Sequence, residues 1–136
     1  TRKNVRNRSK PMNPTQALCV DAACSGNPGP MEYRGVHLPS GKEIFRFGPI
    51  QGTNNIGEFL AIVHALALLK QKGLSMPIYS DSVSGMAWVR NRKAKTTLEY
   101  NEKTALALDL VHRAERWLKE NAITEMEYRS VGRDTG

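Results

Sequence analysis

Acidic residues stand at the ends of predicted structural elements in this chain, and their placement is the strongest constraint on its fold. Asp21 closes an apolar run and is followed by a Gly/Pro-rich turn over residues 22–30, while Asp81 ends a short apolar strand. Glu58 lies just inside a predicted helix. A buried ionised carboxylate is costly unless it is paired or metal-bound, and converging carboxylates suit a hard divalent cation. We therefore expect a fold that gathers these acids at a metal site, with Asp134 as a further candidate ligand.

The length and composition indicate one globular domain. A chain of 136 residues can bury a sizeable core, and an apolar fraction of 40% is ordinary for a globular protein. No apolar run is long enough to cross a bilayer, and no signal-peptide pattern opens the chain. The two cysteines, Cys19 and Cys24, have no second pair at metal-ligand spacing. We expect a reduced, cytoplasmic protein without a membrane segment.

Most of the excess positive charge lies at the N-terminal end. Five basic residues and no acid occupy residues 1–14, so that the remaining chain carries only +2 of the net charge of +7. The sequence predicts a basic tail or linker over 1–14 and a single domain over 15–136. The tail is typical of a solvated, disordered segment. The same charge also favours electrostatic attraction of polyanions, and the two interpretations are compatible.

The apolar pattern predicts an α/β domain with a mixed sheet. Glu58 shares a helix face with the apolar residues Ile62 and Leu66, an unusual position for a purely solvated acid. The predicted strands span 16–21, 32–38, 43–47, 77–80 and 123–128, and the predicted helices span 53–72, 82–90 and 101–121. The last helix has a predicted core stripe of Leu106, Leu110, Ala114, Trp117 and Leu118.

Three short stretches and the order of the elements resemble the type 1 ribonuclease H family, in particular its compact bacterial branch. The stretches are residues 21–30, Thr53-Asn54-Asn55-Ile56-Gly57-Glu58 and Tyr79-Ser80-Asp81-Ser82. The resemblance covers nearly all of residues 16–129 in element order. It implies a ribonuclease H-like α/β fold, with a five-stranded mixed sheet and helices packed on both faces.

The resemblance also implies an activity, namely cleavage of the RNA strand of an RNA–DNA hybrid to 5′-phosphate and 3′-hydroxyl products. The catalytic and metal-binding residues it implies are Asp21, Glu58 and Asp81, with Asp134 as the fourth acid. Two Mg²⁺ ions roughly 3.5–4 Å apart, with Mn²⁺ as a substitute, neutralise the charge that develops on the phosphate in such enzymes. Asp21 is the implied bridge between the two ions.

Substrate contacts follow from the same resemblance. Glu58 is implied to contact a ribose 2′-hydroxyl, the group that separates RNA from DNA, and Thr53 to hold a phosphate of the DNA strand. The full set of implied substrate-binding residues is Cys24, Gly26, Asn27, Thr53, Asn54 and Asn55. We expect a monomer that binds an RNA–DNA hybrid duplex and uses neither an organic cofactor nor a membrane.

The chain departs from the family pattern at Asp134. This residue stands two positions before the last residue, with no room for the helix that follows the fourth acid in relatives. It is either the fourth ligand or a solvated acid of the tail, and a missing stretch in this region would also explain the departure. Two alternative functions therefore stay open. One is a nucleic-acid-binding module that has lost its fourth acid, against which the retention of Asp21, Glu58 and Asp81 argues. The other is a related nuclease acting on DNA or junctions, and the groove set of Asn27, Asn54 and Glu58 argues against it.

Overall fold

The computed structural model of this chain describes residues 16–123 and 127–130. The predicted basic tail over 1–14 lies outside the described residues, as does Asp134. The strands are β1 (Ala17–Cys24), β2 (Gly29–Leu38), β3 (Lys42–Gly52), β4 (Ile78–Ser80) and β5 (Tyr128–Ser130), and the helices are α1 (Asn54–Lys72), α2 (Val83–Asn91) and α3 (Ala105–Glu120).

The strands form one mixed sheet in the order β3-β2-β1-β4-β5. Strands β1, β2 and β3 form an antiparallel meander, whereas β1 pairs with β4 and β4 pairs with β5 in parallel. The parallel pair β1–β4 requires a crossover, and α1 supplies it. The meander and the crossover helices are those predicted from the apolar pattern.

The three helices lie on one face of the sheet. Along β2 the buried residues Met31 and Tyr33 alternate with the exposed residues Pro30 and Arg34, as expected where only one face is covered. Helix α1 contacts β1 and β2, and both α2 and α3 pack beside it. Among the described residues, the prediction of helices on both faces is therefore wrong. The uncovered face carries charged side chains, which favour water over a packed helix.

Helix α1 has the boundaries that the sequence predicts, and its caps explain them. The Thr53 side chain accepts a hydrogen bond from the Ile56 N–H at 3.2 Å, and Gly73 ends the helix in the left-handed conformation at a φ of 66°. Phe59 and Ile62 on this helix are fully buried and form the centre of the core. The helix therefore fixes the position of its own first turn, where Glu58 lies.

The predicted core stripe of α3 is partly wrong. Leu106 is 54% exposed, whereas Ala114 and Leu118 of the stripe are buried, and Leu110 and Trp117 are partly buried against the core. The buried residues of α3 are Ala107, Leu108, Val111, Ala114, Glu115 and Leu118. Across the described ranges, no helix is long and apolar enough to span a membrane.

Candidate active site

The parallel pairing of β1 with β4 brings Asp21 close to Asp81. Cys19 is the register partner of Tyr79, and Asp21 and Asp81 each follow two residues later along their own chain direction. The two side chains therefore lie side by side near the carboxyl ends of adjacent parallel strands. In open α/β sheets this edge is the usual location of a binding crevice.

Asp81 lies in a short turn that hydrogen bonds hold in place. The Ser80 hydroxyl accepts the Ser82 N–H at 3.1 Å, and the Ser82 hydroxyl caps α2 by accepting the Gly85 N–H at 2.9 Å. Ser80 itself is fully buried. The turn therefore directs Asp81 outward at a defined point between strand and helix.

Glu58 reaches the same point because two glycines permit close packing around it. A Cβ atom at Gly57 would lie 2.9 Å from the Ala22 Cβ and 2.9 Å from the Met31 sulfur, so α1 approaches β1 more closely than any side chain would allow. A Cβ atom at Gly85 would lie 3.2 Å from the Glu58 Cβ. Helix α2 thus packs directly against Glu58 and encloses it.

The structure brings three of the four predicted acids into one cluster. A carboxylate oxygen from each of Asp21, Glu58 and Asp81 lies within 4.8 Å of the other two. Glu58 is only 5% exposed, whereas Asp21 and Asp81 face solvent. The cluster therefore has one buried wall and two accessible carboxylates.

The electrostatics of the cluster favour a bound cation. Burial, and then the charges of Asp81 and Asp21, raise the pKa of Glu58 to about 7. Among the described residues, the buried Oε1 atom of Glu58 has no hydrogen-bond partner. An orphaned buried oxygen costs free energy that a ligand can recover. Three converging carboxylates are the donor set that Mg²⁺ or another hard divalent cation prefers, so the residues fit such an ion.

A groove lies beside the acidic cluster, at the N-terminal end of α1. It has a volume of about 290 Å³, and Asn27, Thr53 and Asn55 line one side. Trp88 and the segment 95–99 also line the groove. Three of the predicted substrate-binding residues therefore share one surface, and Asn54 is exposed next to them at the start of α1.

Cys24 and Gly26 shape the turn that carries Asn27. The Cys24 thiol donates a hydrogen bond to the Gly26 carbonyl at 2.8 Å, and Gly26 adopts a φ of 96° that favours glycine. Burial raises the pKa of the Cys24 thiol, which therefore stays protonated at neutral pH. Cys24 is a structural element of the turn rather than a nucleophile.

The sequence predicts a basic surface for the DNA strand at residues 89–95, near Trp88, but not the rest of the segment 95–99 that lines the groove. Its only sequence signal was a run of basic residues and threonines between two helices. Arg34 is a further residue at the site that the sequence did not predict. It is exposed and lies directly opposite Asp21 in the β1–β2 register. Cross-strand partners share a face of the sheet, so this cation lies beside the acidic cluster.

The fold and the site together define an α/β domain with a cluster of three carboxylates, compatible with a divalent cation, at the edge of its central parallel strands. A family model described as RNase H matches residues 13–128. The chain therefore belongs to the RNase H family, and the resemblance found in its sequence is confirmed.

Several bacterial proteins named ribonuclease H are similar to this chain. The protein from Chromobacterium violaceum is 34% identical over 123 residues, which cover 84% of this chain and 79% of that protein. The protein from Afipia carboxidovorans is 30% identical over 128 residues, which cover 85% of this chain and 80% of that protein. The match to the protein from Neorickettsia sennetsu is shorter, at 39% identity over 67 residues that cover 48% of this chain and 44% of that protein.

Solved structures share the fold. RNase H1 from Halobacterium salinarum superposes with a TM-score of 0.54 at 22% identity, over 88% of this chain and 87% of that one. LC11-RNase H1 superposes with a TM-score of 0.53 at 16% identity, over 88% of this chain and 86% of that one. At these identities the likeness establishes a ribonuclease H-like fold for this chain.

Proposed function

We propose that this chain is a metal-dependent endonuclease that hydrolyses the RNA strand of RNA–DNA hybrids and leaves 5′-phosphate and 3′-hydroxyl ends. One observation carries the proposal. In a member of the RNase H family, Asp21, Glu58 and Asp81 converge around a buried Glu58 oxygen that lacks a hydrogen-bond partner among the described residues.

The residues that hold the metal follow from this cluster. Asp21, Glu58 and Asp81 hold two Mg²⁺ ions, for which Mn²⁺ can substitute, and Asp134 is the proposed fourth ligand. When bound, such ions neutralise the charge on the phosphate and lower the pKa of the attacking water. Glu58 contributes an oxygen that burial has already separated from water, and it forms the fixed wall of the site.

The groove orients the substrate toward that cluster. One solved neighbour, LC11-RNase H1, is described in complex with an RNA/DNA hybrid, which supports the same substrate class here. Asn27 and Asn54 bind in the minor groove of the hybrid and Thr53 binds a phosphate of the DNA strand, while Glu58 contacts a ribose 2′-hydroxyl and so selects RNA. The backbone of the turn at Cys24 and Gly26 and the side chain of Asn55 complete this surface.

The reaction is a hydrolysis of a phosphodiester. A water oxygen bonds to phosphorus while the bond from phosphorus to the 3′ oxygen breaks. The leaving oxygen takes up a proton and the attacking water loses one. Because the groove contacts concern backbone and shape, we expect little preference for base sequence.

A substrate panel tests the proposal. Matched RNA–DNA, RNA–RNA and DNA–DNA duplexes, each labelled on either strand, are incubated with Mg²⁺, Mn²⁺ or a chelator, and the ends of the products are mapped. We expect cleavage of the RNA strand of the hybrid alone, absent with chelator and absent in Asp21→Asn, which still binds the hybrid. Binding without cleavage would favour a nucleic-acid-binding module, and cleavage of DNA would favour a different nuclease.

The domain organisation and setting are proposals as well. Residues 15–136 form the catalytic domain, which acts as a monomer in the cytoplasm, and residues 1–14 add electrostatic attraction to the nucleic acid. Removal of 1–14 then weakens binding and flattens its dependence on salt, while the rate at saturating hybrid stays the same. An unchanged salt slope would make the tail a simple linker.

A further inference from the structure

The connection between α2 and α3 is irregular, yet α3 holds its first part firmly. The Arg92 side chain donates from Nε to the Leu118 carbonyl at 3.1 Å. Two residues later, the backbone N–H of Ala94 donates to Oε2 of Glu115 at 2.8 Å, in a buried position. Ala94 is itself only 6% exposed and packs in the core. The start of this connection therefore has a fixed position.

Glu115 is an unusual residue for this task. It lies on the buried side of α3 and is only 7% exposed. The Nζ atom of Lys93 lies 3.9 Å away, but the lysine side chain is 65% exposed, so the pair contributes little to stability. A buried carboxylate is costly, and its principal contact here is one backbone N–H. The carboxylate therefore satisfies the buried Ala94 N–H and fixes its position.

The position of Ala94 determines where the wall of the groove lies. Lys95, Thr96, Thr97 and Leu98 follow directly and line the same groove as Asn27 and the N-terminal end of α1. The far end of the wall is also held, because the Thr104 hydroxyl donates to the Glu99 carbonyl at 2.6 Å. The wall is thus an irregular segment that is tied at both ends.

We propose that Glu115 is a positioning residue for the substrate. Through the Ala94 N–H, it holds residues 95–98 at the distance from the N-terminal end of α1 that the sugar–phosphate backbone of a bound nucleic acid requires. The inference rests on the proposed function. A wall that is already in place loses less conformational freedom on binding than a mobile one, and this lowers the concentration of hybrid needed for saturation.

Substitutions at Glu115 separate this role from a purely structural one. Glu115→Gln keeps an oxygen acceptor for the Ala94 N–H, whereas Glu115→Ala removes it and Glu115→Asp withdraws it by one methylene group. We expect Glu115→Ala and Glu115→Asp to raise the KM for the hybrid by about tenfold, because each loses the buried hydrogen bond to a charged acceptor. We expect the KM of Glu115→Gln to lie within about twofold of the wild-type value, and kcat to change by less than about twofold in all three variants.

Matched measurements make the outcome decisive. Lys93→Ala serves as the control for the ion pair and leaves the KM unchanged. Melting curves show which variants are folded at the assay temperature, and Glu115→Asp keeps the test available if Glu115→Ala does not fold. The proposal is overturned if a folded Glu115→Ala or Glu115→Asp variant keeps the wild-type KM. It is also overturned if Glu115→Gln raises the KM as much as Glu115→Ala does. Wild-type protein that fails to cleave the hybrid overturns the proposed function instead, and hybrid affinity measured by anisotropy then tests Glu115 on its own.

Discussion

The Tyr33 hydroxyl lies 2.9 Å from Nδ1 of His64, and this contact joins the sheet to the central helix. The His64 ring also stacks on Phe45, with ring centroids 4.0 Å apart and an angle of 6° between the planes. The imidazole is therefore enclosed by two aromatic side chains on the covered face of the sheet. A positive charge on this ring would be poorly solvated.

This environment predicts a stability that falls at acidic pH. Burial lowers the pKa of His64 below its ordinary value of 6.5, so the unfolded chain takes up a proton before the folded protein does. The contribution of neutral His64 to the free energy of unfolding is complete above pH 6.5, and it is lost as the pH falls below that value. We expect His64→Gln to remove this part of the pH dependence, as measured by urea unfolding at pH 7.5 and 5.5. The control His112→Gln, at an exposed position of α3, should keep the wild-type difference.

The acidic cluster predicts the opposite trend when divalent cations are absent. The pKa of Glu58 rises from 4.5 to about 7 in the folded protein, so the unfolded chain releases its proton first as the pH increases. Stability therefore decreases between pH 4.5 and 7, at about 1.4 kcal/mol for each unit of pKa shift.

Two melting experiments check this trend. In chelator at pH 8 we expect Glu58→Gln to melt at a higher temperature than the wild type, although it is inactive. Mg²⁺ should raise the melting temperature of the wild type more than that of the variant. Glu102→Gln, an exposed charge change, is the control. Equal responses to Mg²⁺ in wild type and Glu58→Gln would remove Glu58 from the metal site.

The close packing at Gly57 predicts that a single methyl group impairs both stability and activity. Gly57→Ala places its Cβ 2.9 Å from both Ala22 and Met31, which forces α1 away from β1 and Glu58 away from Asp21. We expect a loss of about 1–3 kcal/mol in unfolding free energy, typical of overpacking, together with a lower kcat. Gly52→Ala is the control, since its nearest contact is the flexible end of Met31 at 3.2 Å. A variant with wild-type melting temperature and kcat contradicts this explanation of how Glu58 is placed.

Asp134 gives a prediction that the described residues do not test. If it is the fourth ligand, Asp134→Asn should lower kcat by roughly 10²-fold, as expected for loss of a preorganised charge at the reacting phosphate. Asp109→Asn, on the exposed side of α3, provides a charge-matched control. An unchanged rate would identify Asp134 as a solvated residue.

The features that sequence predicted well are those with a local signal. Thr53 and Gly73 mark the ends of α1 through cap chemistry that operates within one helical turn. Glu58 could be recognised as unusual because it interrupts an apolar stripe. In contrast, β1 continues past Asp21 to Cys24, because Cys24 pairs with Met31 across the sheet. The glycine- and proline-rich composition of that region hides a pairing that only the neighbouring strand supplies.

Other features depend on tertiary contacts and could not be read from the chain. Residues 95–98 carry no periodic pattern, and the hydrogen bond beside them joins Ala94 to Glu115, 21 residues further along the chain. The predicted final strand over 123–128 lies partly outside the described residues, and the described strand Tyr128–Ser130 is defined by its pairing with β4. Glu115 offers the same clue as Glu58, since it is an acid on the buried side of its helix.

The parallel pairing of β1 with β4 has a consequence for the protein during its synthesis. The ribosome releases the chain from its N-terminal end, so Asp21 emerges while Asp81 has yet to be made. Both strands, and the helix between them, must be outside the exit tunnel before the three carboxylates can meet. Until the chain has passed β4, the nascent polypeptide therefore lacks the complete set of carboxylates that the folded protein brings together.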